Sequence, residues 1–132
     1  MNVDEIKRRF NPSWITTAID EDCITLCEDL AKSMISSKIS SSFLRNIFGE
    51  LRRIEAGGFE KHRAEFVLLR PKLAYTCGRA SSRNNKADDD LQALQELYKK
   101  SAQLVTDAKG FKNVVNIMEA IIAFHKANGG KE

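Results

Sequence analysis

Two prolines and seven glycines in 132 residues leave long stretches with nothing to interrupt a helix. Within those stretches apolar residues recur three and four apart, which is the spacing of one helix face and not the alternation of a half-buried strand. The chain is therefore predicted to be all-α, a compact bundle of about five helices in one domain over residues 1–132. A chain of this length buries enough apolar surface to fold without metal or disulfide staples. Its hydrophobic content of 42% excludes wholesale disorder.

The breaks set the expected boundaries. Residues 1–17 contain Asn11-Pro12 and read as an N-terminal arm with a turn. A first helix is expected from Thr17 as N-cap, with Asp20, Glu21 and Asp22 near its positive end. Ile19, Cys23, Leu26, Cys27, Leu30, Ala31 and Met34 form its apolar stripe. A second helix is expected from Ser40-Ser41-Ser42 to Gly57-Gly58, with Phe43, Leu44, Ile47, Phe48, Leu51 and Ile54 inward and Arg45 and Arg52 on the opposite side.

The third helix is expected over about Phe59 to Arg79, kinked or broken near Leu69 because Pro71 lacks an N–H and crowds the preceding turn. Residues 81–90 read as a flexible polar loop. Leu91, Leu94, Leu97, Tyr98, Ala102 and Val105 then mark a fourth helix, ended by Lys109-Gly110. A fifth carries Phe111, Val114, Val115, Ile117, Met118, Ile121, Ile122 and Phe124. It is apolar around most of its girth, so it is either central to the bundle or part of a protein interface.

No stretch is long and apolar enough to span a bilayer, and no charged-then-apolar leader opens the sequence; a cytoplasmic protein is expected. Three cysteines, an odd count, do not read as a secreted disulfide framework.

Catalytic constellations are poor. Cys23 and Cys27 lie one turn apart, but no second pair completes a zinc site, and they read as small buried hydrophobes. His62 sits between Lys61 and Arg63 on an expected surface, and His125 near a helix end. Asp88-Asp89-Asp90 is explained by helix N-capping. Phosphate-binding and dinucleotide-binding glycine patterns and the nucleophile elbow are missing. No enzyme activity, cofactor or metal is expected.

Charge is more informative. Residues 1–37 carry a net −3, residues 38–86 a net +7 and residues 87–132 a net −1. A basic block of this kind is the footprint of a polyanion partner, or else a solvated face. The candidate RNA-binding residues are Arg45, Arg52, Arg53, Arg70, Lys72, Arg79, Arg83 and Lys86. Such side chains hold phosphates without reading bases. Tyr75 could stack on a base; core packing with its hydroxyl outward is the simpler reading. Arg53 could equally be paired with a nearby Glu.

The run Leu69-Arg70-Pro71-Lys72-Leu73-Ala74-Tyr75-Thr76-Cys77-Gly78-Arg79 is the most distinctive in the chain. It resembles the central signature of the small helical subunit of the type III-A CRISPR interference (Csm) complex. Ser42 to Phe48 and the ending around Glu119 to Lys126 resemble that family as well, so the likeness covers roughly residues 38–128. It implies a non-catalytic helical subunit, present in several copies and acting in antiviral defence. Its implied partners are CRISPR RNA, target RNA, the other subunits of the effector and further copies of itself. By position it carries Arg45, Lys72 and Arg79 over as RNA contacts. The alternative is a helical protein-interaction module whose basic face meets an acidic partner, with the fifth helix as its main interface.

Overall fold

The computed structural model describes residues 1–80 and 85–131. Among them are seven α-helices and one short 3-10 turn, two helices more than the sequence pattern predicts and without a strand. They are α1 (Val3–Arg9), α2 (Ser13–Thr16), α3 (Glu21–Ser36), α4 (Ser41–Gly57), the 3-10 turn (Phe59–His62), α5 (Arg63–Ala80), α6 (Asn85–Ala102) and α7 (Ala108–Ala127).

The caps explain most boundaries. Asp20, not Thr17, starts α3: its carboxylate accepts the Cys23 N–H at 3.0 Å, and Glu21 and Asp22 follow in the first turn. Ser40 caps α4 by accepting from the Phe43 N–H at 3.1 Å. Asp107 caps α7 by accepting from the Gly110 N–H at 2.9 Å. Lys109-Gly110 therefore lies inside the first turn of α7, and the break comes before it. The stop after α4 requires glycine twice. Gly58 has φ 95°, and a Cβ on Gly57 would come within 2.5 Å of the His62 ring.

α7 is the centre of the bundle. Phe111, Val114, Val115, Ile117, Met118, Ile121 and Ile122 are all buried on it, and α2, α3, α4, α6 and the 3-10 turn pack around it. The stripe predicted for α3 meets α7 directly, with the Cys27 thiol 3.7 Å from the Ile117 carbonyl. Phe59, Phe66 and Phe111 form an aromatic cluster where the 3-10 turn, α5 and α7 converge, with centroids 4.9 to 5.6 Å apart.

Three expectations fail for physical reasons. Residues 1–17 are not an arm. Ile6, Trp14 and Ile15 are buried in the core, and α1 lies against α6. The polar run 81–90 is helical from Asn85 onward, while residues 81–84 lie outside the described residues. Asp90 is no cap either: it is wholly buried, its carboxylate accepting from the Met1 ammonium at 2.8 Å and from the Ser33 and Ser37 hydroxyls, each at 2.6 Å. α1, α3 and α6 are joined through this one carboxylate.

The break expected near Pro71 is the third. α5 runs without a break from Arg63 to Ala80 with Pro71 inside it. Proline forfeits the bond to the Val67 carbonyl, but Pro71 is exposed and Val67 is 69% exposed, so that carbonyl lies on the wet side of the helix. The buried side, Phe66, Leu69, Leu73 and Cys77, keeps its backbone bonds and holds α5 to the core.

At the other end of the bundle, the His125 Nε2 lies 2.7 Å from the Ile39 carbonyl, and the Lys131 carbonyl accepts from the Ser41 N–H at 2.8 Å. The chain after α7 thereby closes over the α3–α4 connection, where Lys38 takes φ 68°.

Two stability measurements test this account. Asp90→Ala strands a buried ammonium and two hydroxyls, and should lower unfolding free energy by about 3–5 kcal/mol in urea titration. Pro71→Ala should raise it by roughly 1–3 kcal/mol, because alanine restores the N–H at a helical site; an unchanged or lower denaturation midpoint would mean that the proline is not tolerated at the helix's expense.

Candidate nucleic-acid interface

The basic block of the sequence folds mainly onto α4 and α5, neighbours joined by the 3-10 turn. Ion pairs tie the corner between them. Glu65 on α5 accepts from Arg53 on α4 at 2.7 Å and lies 2.7 Å from the His62 Nδ1. Glu50 holds the same guanidinium at 2.6 Å. His62 and Arg53 keep the Glu65 carboxyl below its ordinary range, and Glu50 and Glu65 raise Arg53 further above its own. Arg53 is thus a clasp between two helices, and the paired alternative describes it.

Between α4 and α5 runs a groove of about 250 Å³, lined by Asn46, Ile47, Leu51, Lys72, Leu73 and Tyr75, among others. Lys72 stands at its edge, exposed, and forms no ion pair among the described residues. Arg79 lies over the Tyr75 ring with its guanidinium carbon 5.7 Å from the centroid. Tyr75 itself is 66% exposed and not in the core as expected. The ring and the guanidinium together form a flat, cationic platform suited to a base or ribose beside a phosphate.

The other candidates divide. Arg45 is exposed on α4 but outside the groove lining, on the same side of the helix as Arg52. Arg52 lies on α4 as well, 3.6 Å from Glu119 of α7, so its charge is partly answered. Arg70 is exposed on α5 but turned from the α4 groove toward α6, where it lines a second groove with Ala74, Glu96 and Lys99. Lys86, at the start of α6, bonds to the Ser36 hydroxyl of α3, away from the α4–α5 corner. Arg83 lies outside the described residues. The structure therefore brings Lys72, Tyr75 and Arg79 together on α5, with Arg45 on the adjoining helix. It does not gather all eight cations on one face.

Cys23, Cys27 and Cys77 are all buried. Burial pushes the Cys77 thiol up to about 11, and the hydrogen bond with Cys23 followed by burial pushes Cys27 upward. No group of three or more potential metal ligands occurs among the described residues. None of the helices described is long and apolar enough to cross a membrane.

A basic face on an all-helical chain is common to many proteins; comparison with known families decides among them. The family model described as Csm2 Type III-A matches residues 19–131. The chain belongs to the Csm2 Type III-A family. The match runs from the approach to α3 through the end of α7, so it includes the whole α4–α5 corner and leaves α1 and α2 outside. Membership makes the chain a small subunit of the type III-A Csm complex, associated with other Csm subunits. No curated protein and no solved structure matches the chain.

The thiols give a direct check on packing at this face, since Cys77 anchors the inner side of α5. In the folded protein all three cysteines should resist iodoacetamide at mildly alkaline pH, and all should react in urea. Labelling of Cys77 at the rate of a free thiol, read by mass spectrometry, would show that α5 opens in the native state.

Proposed function

We propose that this chain is a non-catalytic subunit of the type III-A effector, holding the backbone of guide and target RNA without reading its sequence and stabilising the effector filament in antiviral defence. The observation that carries the reading is the arrangement on α5 and α4. Lys72 and Arg79 project from one side of a helix anchored by Phe66, Leu69, Leu73 and Cys77, and Arg45 stands on the neighbouring helix. These cations offer point and fork contacts to phosphate, which hold a backbone without reading its bases.

The proposal suits an RNA-guided complex. Guide–target pairing already specifies sequence, so the surrounding protein has to accept any sequence and grip only phosphates and ribose. A single copy with three or four phosphate contacts binds weakly, and several copies along one filament bind firmly through high effective concentration. Arg45, Lys72 and Arg79 are the principal contacts in this reading, with Tyr75 as a stacking platform. Arg70, Arg52 and Lys86 are peripheral, and Arg53 is structural.

An interface through the last helix, which the protein-interaction alternative requires, has little surface left. The apolar side chains of α7 are buried against the chain's own helices.

Fluorescence anisotropy with a single-stranded RNA of arbitrary sequence, titrated across salt, tests the reading. Wild type should bind with an affinity that falls steeply as salt rises. Arg45→Ala/Lys72→Ala/Arg79→Ala should bind weakly, with the log–log salt slope reduced by about 2, since each single-strand phosphate contact contributes about 0.7. Thermal stability should barely change, because all three side chains are exposed. Equal binding by the variant would place the RNA elsewhere.

A further inference from the structure

α5 is unusual among these helices in being apolar on both sides. Its inner side is the core stripe. Its outer side carries Val67, Leu68, Pro71 and Tyr75 at i, i+1, i+4 and i+8, which fall within one arc of about 100°. Val67 is 69% exposed, Leu68 54% and Tyr75 66%, and these three are the exposed large hydrophobics among the described residues. Exposed Ala64 and Gly78 fill the remaining positions of the same arc and exposed Ala74 lies at its edge, so no charge interrupts it. A continuous apolar stripe rimmed by polar residues marks a contact surface.

Its flanks are basic on both sides. Lys72 and Arg79 border it toward α4. Arg70 borders it toward α6, where a groove of about 340 Å³ is lined by Arg70, Ala74, Glu96 and Lys99. Glu96 is engaged by Lys100 at 3.8 Å, whereas Arg70 and Lys99 form no ion pair among the described residues. The stripe thus opens onto a groove whose rim asks for a carboxylate.

We propose that the outer face of α5, from Val67 to Gly78 together with the α5–α6 groove, docks an apolar segment of a different subunit, one bordered by acidic side chains that meet Arg70 and Lys99. This rests on the reading of the chain as a subunit of a larger assembly and names the surface that joins it. Charge decides the occupant. A second copy could cover the stripe only with its own stripe, since the large hydrophobics exposed in the described residues all lie there. Two such faces would set basic flank against basic flank in either orientation. Glu65 and Glu96, the acidic residues beside this face, are already held, Glu65 by Arg53 and His62 and Glu96 by Lys100. Nucleic acid is the poorer match, because Val67, Leu68 and Pro71 neither hydrogen-bond to phosphate nor stack flat on a base. A protein segment satisfies both features: apolar side chains bury the stripe, and carboxylates pair with the rim. Pro71 adds one polar point, since it leaves the Val67 carbonyl without its helical donor in the middle of the stripe.

α5 then has two working sides. RNA lies on the side facing α4, and protein on the outer side facing α6, with Tyr75 on the border between the two.

The test co-expresses full-length chain with the remaining effector subunits and a CRISPR RNA, and recovers the assembly through a tag on another subunit. Val67→Gln/Leu68→Gln changes no charge and should reduce the recovered chain at least tenfold. Arg70→Glu/Lys99→Glu should reduce it similarly and abolish its salt sensitivity. All four positions are exposed, so melting temperatures should stay at the wild-type value. Recovery of the glutamine variant at the wild-type level overturns the proposal. So does sedimentation of the isolated chain as a dimer that this variant converts to monomer, which would make the occupant a second copy. Loss of RNA anisotropy by the glutamine variant with recovery intact also overturns it, by assigning the face to nucleic acid. The RNA reading fails separately: wild type that binds no RNA, while the glutamine variant still drops out of the assembly, leaves the docking surface standing.

Discussion

Everything in this molecule is arranged around one helix that cannot face water. α7 presents apolar side chains through most of its circumference, and five of the other elements exist in contact with it. An apolar helix of this kind demands cover on all sides, and the hydrophobic effect supplies the driving force at roughly 25 cal/mol for each Å² removed from water. The stripes of α3 and α4 are cut to fit that demand, each with one buried side and one wet side. α5 is the exception. It touches the core through Phe66 and the 3-10 turn, yet keeps a second apolar side in solvent. A helix at the margin of the bundle is free to do so because the inner stripe alone suffices to hold it.

Polar closures then fix which way the cover sits. The Asp90 carboxylate draws α1, α3 and α6 to one point, and the His125 and Lys131 contacts draw the end of the chain over the α3–α4 connection. Buried polar groups of this type add less net stability than the apolar core does, but leaving any of them unpaired is costly, so they select a single arrangement from the many that would cover α7.

The sequence disclosed the parts of this design that are local. Apolar spacing located α3, α4 and α7, and Ser40 and Gly57-Gly58 marked the ends of α4 because caps and stops act within a few residues. It hid what depends on distant partners. α1 has seven residues and one buried apolar side chain, Ile6, too little for a periodic signal, and it is held by Asp90 far along the chain. Pro71 read as a break because the sequence does not reveal that the carbonyl it deprives faces solvent. Tyr75 read as core because α5 is apolar on both sides, and periodicity cannot say which side is wet. The basic block was legible as charge. Its division was not: Glu50 stands three residues from Arg53 and could be seen, but Glu65 and Glu119 reach Arg53 and Arg52 only through the fold.

The corner between α4 and α5 has an energetic meaning beyond its geometry. Gly57 admits the His62 ring, His62 meets Glu65, and Glu65 grips Arg53 across the two helices. The angle between the helices is thereby set before anything binds. A ligand that touches both helices has no hinge to close and no segment to order, so the entropic penalty of association is confined to the ends of a few long side chains. Preorganisation of this kind favours a rapid grip over a tight one.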